Sequence, residues 1–114
     1  DFHAEATEEK EAFGCFVDGD ASAVVGTHTH VPTNDARILP KGTAYQTDLG
    51  SCGPIGSVIG FQPEISVRRA LTQLPIRNEV CDGPAVLNGV VVTIDTETGH
   101  ATSIERYSFA SPLS

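Results

Sequence analysis

The spacing of apolar and polar positions changes period along this chain. Ala12, Phe13, Phe16 and Val17 recur at the spacing of an amphipathic helix that opens on Thr7 as N-cap and stops at Gly19. Glu8 and Glu9 fall in its first turn, where the helix dipole favours negative charge. Residues 21–26 (ASAVVG) are small, apolar and β-branched without alternation, the profile of a strand buried on both faces. They run directly into the polar segment Thr27-His28-Thr29-His30. Residues 37–39 and 43–49 follow as short strands separated by Pro40-Lys41-Gly42, and residues 50–60 form a loop with four glycines and a proline. A weaker helical pattern covers residues 64–74, through Ile65, Arg68, Arg69 and Thr72. Residues 86–95 and 100–109 are β-rich and joined by Thr96-Glu97-Thr98-Gly99, which predicts a hairpin with glycine in its turn.

This order predicts a mixed α/β fold with an antiparallel portion. At 114 residues the chain is the size of one small domain. A strand covered on both faces needs strand neighbours and helices on either side, yet the pattern supplies one good helix. Residues 1–114 are therefore expected to be the C-terminal portion of a single domain whose N-terminal portion is absent, and Asp1 in place of a methionine agrees with that expectation.

Composition narrows the class. Apolar residues make up 39% of the chain and aromatics 6%, which suits a globular protein and not a disordered one. No run approaches the ~18 apolar residues needed to span a bilayer, and no basic-then-apolar leader is present, so the cytoplasm is the expected location. Cys15, Cys52 and Cys81 are odd in number and fit neither a zinc knuckle nor a dense disulfide frame; they are expected to be free thiols. The net charge of −8 argues against broad nucleic-acid binding. Six of those eight negative charges lie within residues 1–20, so a phosphate substrate would need a bound cation to reverse the local field.

Three of the four histidines fall in two short motifs, Asp1-Phe2-His3-Ala4-Glu5 and Gly26-Thr27-His28-Thr29-His30. In an extended segment, alternate residues point to one side with Cα atoms about 6.5–7 Å apart, so His28 and His30 could serve one metal ion or two neighbouring ions. Asp1, His3 and Glu5 share the same period. Three histidines alone could also make a mononuclear zinc site with an open position for water. His100, beside the hairpin turn, is expected on the surface. No serine-nucleophile elbow, phosphate-binding loop or dinucleotide fingerprint is present.

The ordered set of motifs resembles the YmdB-like branch of the calcineurin-like metallophosphoesterases. It comprises Asp1-Phe2-His3-Ala4-Glu5-Ala6-Thr7, the run from Ser22 through Val31 ending in Gly26-Thr27-His28-Thr29-His30-Val31, Arg37-Ile38-Leu39-Pro40, and Gly42-Thr43-Ala44-Tyr45. Gly53-Pro54, Ser57-Val58-Ile59-Gly60, Leu87-Asn88-Gly89-Val90 and Ile104-Glu105-Arg106 continue it. The resemblance implies part of a layered α/β/α sandwich with a mixed sheet and a C-terminal β-hairpin. It also implies hydrolysis of phosphodiesters, notably 2',3'-cyclic nucleotides, by hydroxide activated at two divalent metal ions, Mn or Fe ahead of Mg or Zn. His3, His28 and His30 would be ligands, with His3 and His28 on one ion and His30 on the other. The family's proton donor and remaining ligands lie upstream of the DFHAEA motif, so no catalytic proton donor is expected within the chain. Thr27, Thr29 and Tyr45 are candidate substrate-side groups. Two rival readings stay open: an inactive fragment or interaction module, and a mononuclear zinc hydrolase. A homo-oligomer or a complementing N-terminal segment would be the partner beside the small substrate.

Overall fold

The computed structural model describes residues 1–111. They form two compact units, one of Asp1–Ser51 with Asn88–Tyr107, the other of Cys52–Leu87 with the chain from Ser108. The architecture is mixed α/β.

The first unit is built on a four-stranded mixed sheet in the order β1-β2-β4-β3, from β1 (Phe2–His3), β2 (Ala23–Thr27), β3 (Arg37–Ile38) and β4 (Ala44–Gln46). β1 and β4 both run parallel to β2, and β3 is antiparallel to β4. Every residue from Thr43 to Asp48 is buried, so this central strand shows no inside–outside alternation. Val24, Leu39 and Tyr45 form the core, with Phe2, Val17 and Ala21 packed against it. Gly26 permits the closest approach in the sheet, because a Cβ there would stand 1.8 Å from the Thr47 carbonyl oxygen.

Helix α1 (Thr7–Phe16) connects β1 to β2 and differs in two ways from its sequence pattern. Its N-cap is Ala6 and not Thr7, with no side-chain cap, so the acidic pair Glu8 and Glu9 is what complements the exposed amides of the first turn. Its buried residues are Lys10 and Gly14, whereas Phe16 is 84% exposed. Gly14 sets that face: a Cβ would lie 2.8 Å from the Tyr45 ring, so only glycine lets the helix settle there. Phe13 stacks on Phe2 with ring centroids 4.5 Å apart and is partly covered in that way.

The predicted hairpin is β6 (Ala85–Ile94) and β7 (Ala101–Ala110), joined through Gly99 at φ +79°. It is extended by β5 (Gly53–Pro54), antiparallel to β6, within the span expected to be loop. His100 is exposed, as expected, and its ring lies over Gly42. In the second unit, α2 (Pro63–Thr72) matches the predicted second helix, starts on a proline and ends at Gln73 in the left-handed region. Among the described residues no helix is long and apolar enough to cross a membrane. Cys15 and Cys81 are free thiols.

Candidate metal centre

Strand register builds the first half of the site. The parallel β1–β2 ladder sets His3 opposite Thr27, at the carboxyl ends of both strands, where parallel sheets place their ligand sites. His3 Nδ1 lies 2.9 Å from Thr27 Oγ1, and that hydroxyl lies 3.3 Å from Asp1 Oδ1. A hydroxyl donating to Asp1 accepts from Nδ1–H, which leaves His3 Nε2 with a free lone pair. His28 Nδ1 faces that nitrogen at 3.3 Å, the rings meeting edge to face with centroids 5.1 Å apart.

Beyond β2 the chain is not extended. His28 has φ +130° and His30 φ +67°, both outside the usual range for residues with a Cβ. Such backbone costs of order 1–3 kcal/mol per residue and persists only where surrounding contacts impose it. Those contacts are present. The Thr29 amide donates to Asp48 Oδ2 at 2.7 Å, and the Ser51 amide donates to the His30 carbonyl at 3.2 Å. The expectation of a straight H-x-H segment fails here because the Asp48 carboxylate and the Ser51 amide turn the segment residue by residue.

Asp48 and Lys10 were not candidates on sequence grounds. Each is about 1% exposed, and Lys10 Nζ stands 3.4 Å from Asp48 Oδ2. The same ammonium donates to the Thr27 carbonyl at 2.8 Å, and Gly50 N donates to Asp48 Oδ1 at 2.8 Å. Burial opposes ionisation of Asp48, but the amides of Thr29 and Gly50 and the Lys10 charge outweigh it. The carboxyl is held below the ordinary carboxylate range. A lysine in a helix reads as a solvated charge in any hydropathy pattern, so the only signal was its position, alone among seven acids in residues 1–20.

The other sequence candidates divide. Thr27 is part of the site through its hydroxyl. Thr29 turns its hydroxyl to the Val31 backbone and contributes its amide instead. Tyr45, a candidate substrate-side group, is a core residue: it is 1% exposed, carries the Arg37 guanidinium over its ring and bonds its hydroxyl to Thr47. His30 is exposed, and among the described residues no three or more His, Cys, Asp or Glu side chains gather closely enough to hold an ion.

The His3–His28 pair fits a shared cation as far as two ligands go. Nitrogens held about 2.0–2.1 Å from one ion at a tetrahedral angle stand about 3.3–3.4 Å apart. Two facing imidazole nitrogens need a shared proton or a shared cation between them. The Thr27 hydroxyl bonds the far nitrogen of His3, the kind of outer hydrogen bond that would fix the ring if it held a metal.

Comparison with known proteins gives this chain relatives. The model of the YmdB-like protein family matches residues 1–107. The 2',3'-cyclic-nucleotide 2'-phosphodiesterase of Bacillus subtilis is 57% identical over 106 residues, covering 93% of this chain and 40% of that protein. A Mycoplasma genitalium protein provisionally named a phosphatase/phosphodiesterase is 49% identical over 107 residues, covering 93% of the chain and 38% of its own length. The chain thus spans about 40% of the length of these curated relatives. Among solved structures, a novel phosphatase from Mycoplasma pneumoniae superposes with a TM-score of 0.89 at 46% identity over 96% of this chain and 39% of its own. A hypothetical protein from Thermus thermophilus superposes with a TM-score of 0.88 at 44% identity, covering 96% and 43%. With residues 1–107 of its 114 matched by the family model, the chain belongs to the YmdB-like protein family.

Proposed function

We propose that this chain supplies the histidine side of a metal-dependent phosphodiesterase centre that hydrolyses a small phosphodiester of the 2',3'-cyclic-nucleotide class. The observation that carries the reading is the convergence of His3 Nε2 and His28 Nδ1 at 3.3 Å beyond the ends of two parallel strands. The names of the B. subtilis and M. genitalium relatives support the reaction type and, in the first case, the substrate class. When bound, divalent cations, Mn or Fe ahead of Mg or Zn, supply the positive charge that activates water and neutralises phosphate oxygens. The chain's own residues orient that chemistry. Thr27 fixes the His3 ring, His28 presents its Nδ1 to the same point, and His30, two residues on, is the third ligand, serving a second ion. Free Cys15 and Cys81 suit action in the reducing cytoplasm.

A second reading is favoured by a specific observation: among the described residues the two imidazoles gain no third ligand in a closed group. On that reading the chain is a half-site, competent only with a complementing segment that brings further ligands. A mononuclear zinc site made from His3, His28 and His30 is supported least, because His30 does not gather with the other two.

Hydrolysis of 2',3'-cyclic AMP with added Mn2+ by the purified chain, beside a His28→Ala/His30→Ala variant, tests these readings. Turnover that the double substitution abolishes is the expected result. Turnover that survives it overturns the histidine assignment. Mn2+ binding that requires the histidines but brings no turnover selects the half-site.

A further inference from the structure

Lys10 and Asp48 come from elements far apart in sequence, one in the middle of α1 and the other just beyond β4, yet each bonds one end of the same three-residue segment, Thr27–Thr29. Lys10 Nζ is closer to the Thr27 carbonyl oxygen, at 2.8 Å, than to the Asp48 carboxylate, at 3.4 Å. Asp48 likewise makes its shorter contacts to backbone, 2.7 Å from Thr29 N and 2.8 Å from Gly50 N. Each partner of the ion pair therefore directs its best hydrogen bond at the loop and its weaker one at the other partner. The residue between Thr27 and Thr29 is His28. Its carbonyl-side and amide-side neighbours are held by opposite ends of one buried pair, and its own φ of +130° is the conformation left to it. A pair present only to fill the interior could be replaced by apolar side chains of similar volume without loss. Apolar side chains could not hold a carbonyl and two amides together.

We propose that Lys10 and Asp48 are positioning residues for His28: their ion pair fixes the backbone on both sides of this residue and so brings its imidazole against that of His3. The inference rests on the metal-centre reading for its purpose but not for its geometry. It also accounts for the chemical identity of both side chains. Asp48 must be a carboxylate because both of its oxygens accept backbone N–H groups, and asparagine offers one acceptor oxygen. Lys10 must be long, because it reaches from a helix to a strand-end carbonyl while neutralising that carboxylate.

The test uses all 114 residues in four forms: wild type, Asp48→Asn, Lys10→Met, and Leu39→Ala as a core variant that touches nothing in the loop. Any variant short of fully folded by circular dichroism is measured in trimethylamine N-oxide, which strengthens burial without contacting the loop. The first measurement is the nuclear Overhauser effect between the His3 and His28 ring protons without metal. It should be present in wild type and Leu39→Ala and lost in Asp48→Asn and Lys10→Met. The second is Zn2+ affinity by calorimetry, expected to fall about 10- to 100-fold in the two loop variants, as when outer hydrogen bonds to a metal ligand are removed. The Leu39→Ala value should stay within about twofold of wild type. Retention of both the ring contact and the affinity in Asp48→Asn overturns the proposal, as does equal loss in Leu39→Ala. A His28→Ala chain that binds Zn2+ as wild type does would remove the metal-centre reading alone, and the ring contact would then decide the positioning role.

Discussion

Lys10 shows how far a single residue can depart from its composition class. A lysine at 1% exposure is stable only when its charge is paired and its donors are used, and the Asp48 carboxylate and Thr27 carbonyl satisfy both conditions. Asp35 is the other strongly tied carboxylate. Burial pushes its pKa up, but bonds from Thr33 and Thr47 prevail and hold it below the usual value. The folded-state pKa values of Asp35 and Asp48 are therefore both depressed. Their contribution to stability is fully present above the unfolded value of about 3.9 and is lost as pH falls through the folded values. The urea midpoint should accordingly drop steeply below about pH 4, and in Asp48→Asn, which is less stable throughout, the drop should be shallower. The meeting of His3 and His28 was legible because two short histidine motifs, one of them at a strand end, stand out in the chain. The Lys10–Asp48 pair was not legible, since its meaning lies in a contact across 38 positions.

At the level of elements, the strand β2, the hairpin and α2 follow from patterns in the chain, because β-branched runs and turn glycines are local properties; the burial on both faces expected of β2 belongs instead to β4, and β2 alternates between buried and half-buried residues. The facing of α1 does not. Periodicity assigned its apolar side to the core, but Gly14 against the Tyr45 ring and Lys10 against Asp48 rotate the helix so that Phe16 faces outward. The consequence is measurable. Phe16→Ser should change stability by no more than about 0.5 kcal/mol, as for other surface positions. Leu39→Ala, in the core cluster, should cost about 2–5 kcal/mol in denaturant unfolding. A large cost for Phe16→Ser would place that ring in the interior. The turned conformation of Thr27-His28-Thr29-His30 was equally hidden, because residues with a Cβ do not ordinarily adopt positive φ and the contacts that impose it come from Asp48 and Ser51.

At the scale of the whole molecule, the two units are unequally consolidated. The first buries a continuous strand and its ion pair, whereas in the second Cys81 is the buried apolar residue among those described, and Val67, Leu71, Leu74 and Val80 are exposed. Local opening follows the density of buried contacts. Amides of residues 63–81 should therefore exchange with deuterium orders of magnitude faster than those of β2 and β4, and equal protection would show that the second unit is as firmly held as the first. The arrangement also sets an order of events in time. His3 and His28 are 25 positions apart and become neighbours only when β1 has paired with β2 across the whole of α1. Closing such a loop has an entropic cost before any non-local contact repays it, so this step belongs to the slower part of assembly. The imidazole pair is thus absent from the chain until the crossover closes, and the meeting of the rings marks that moment.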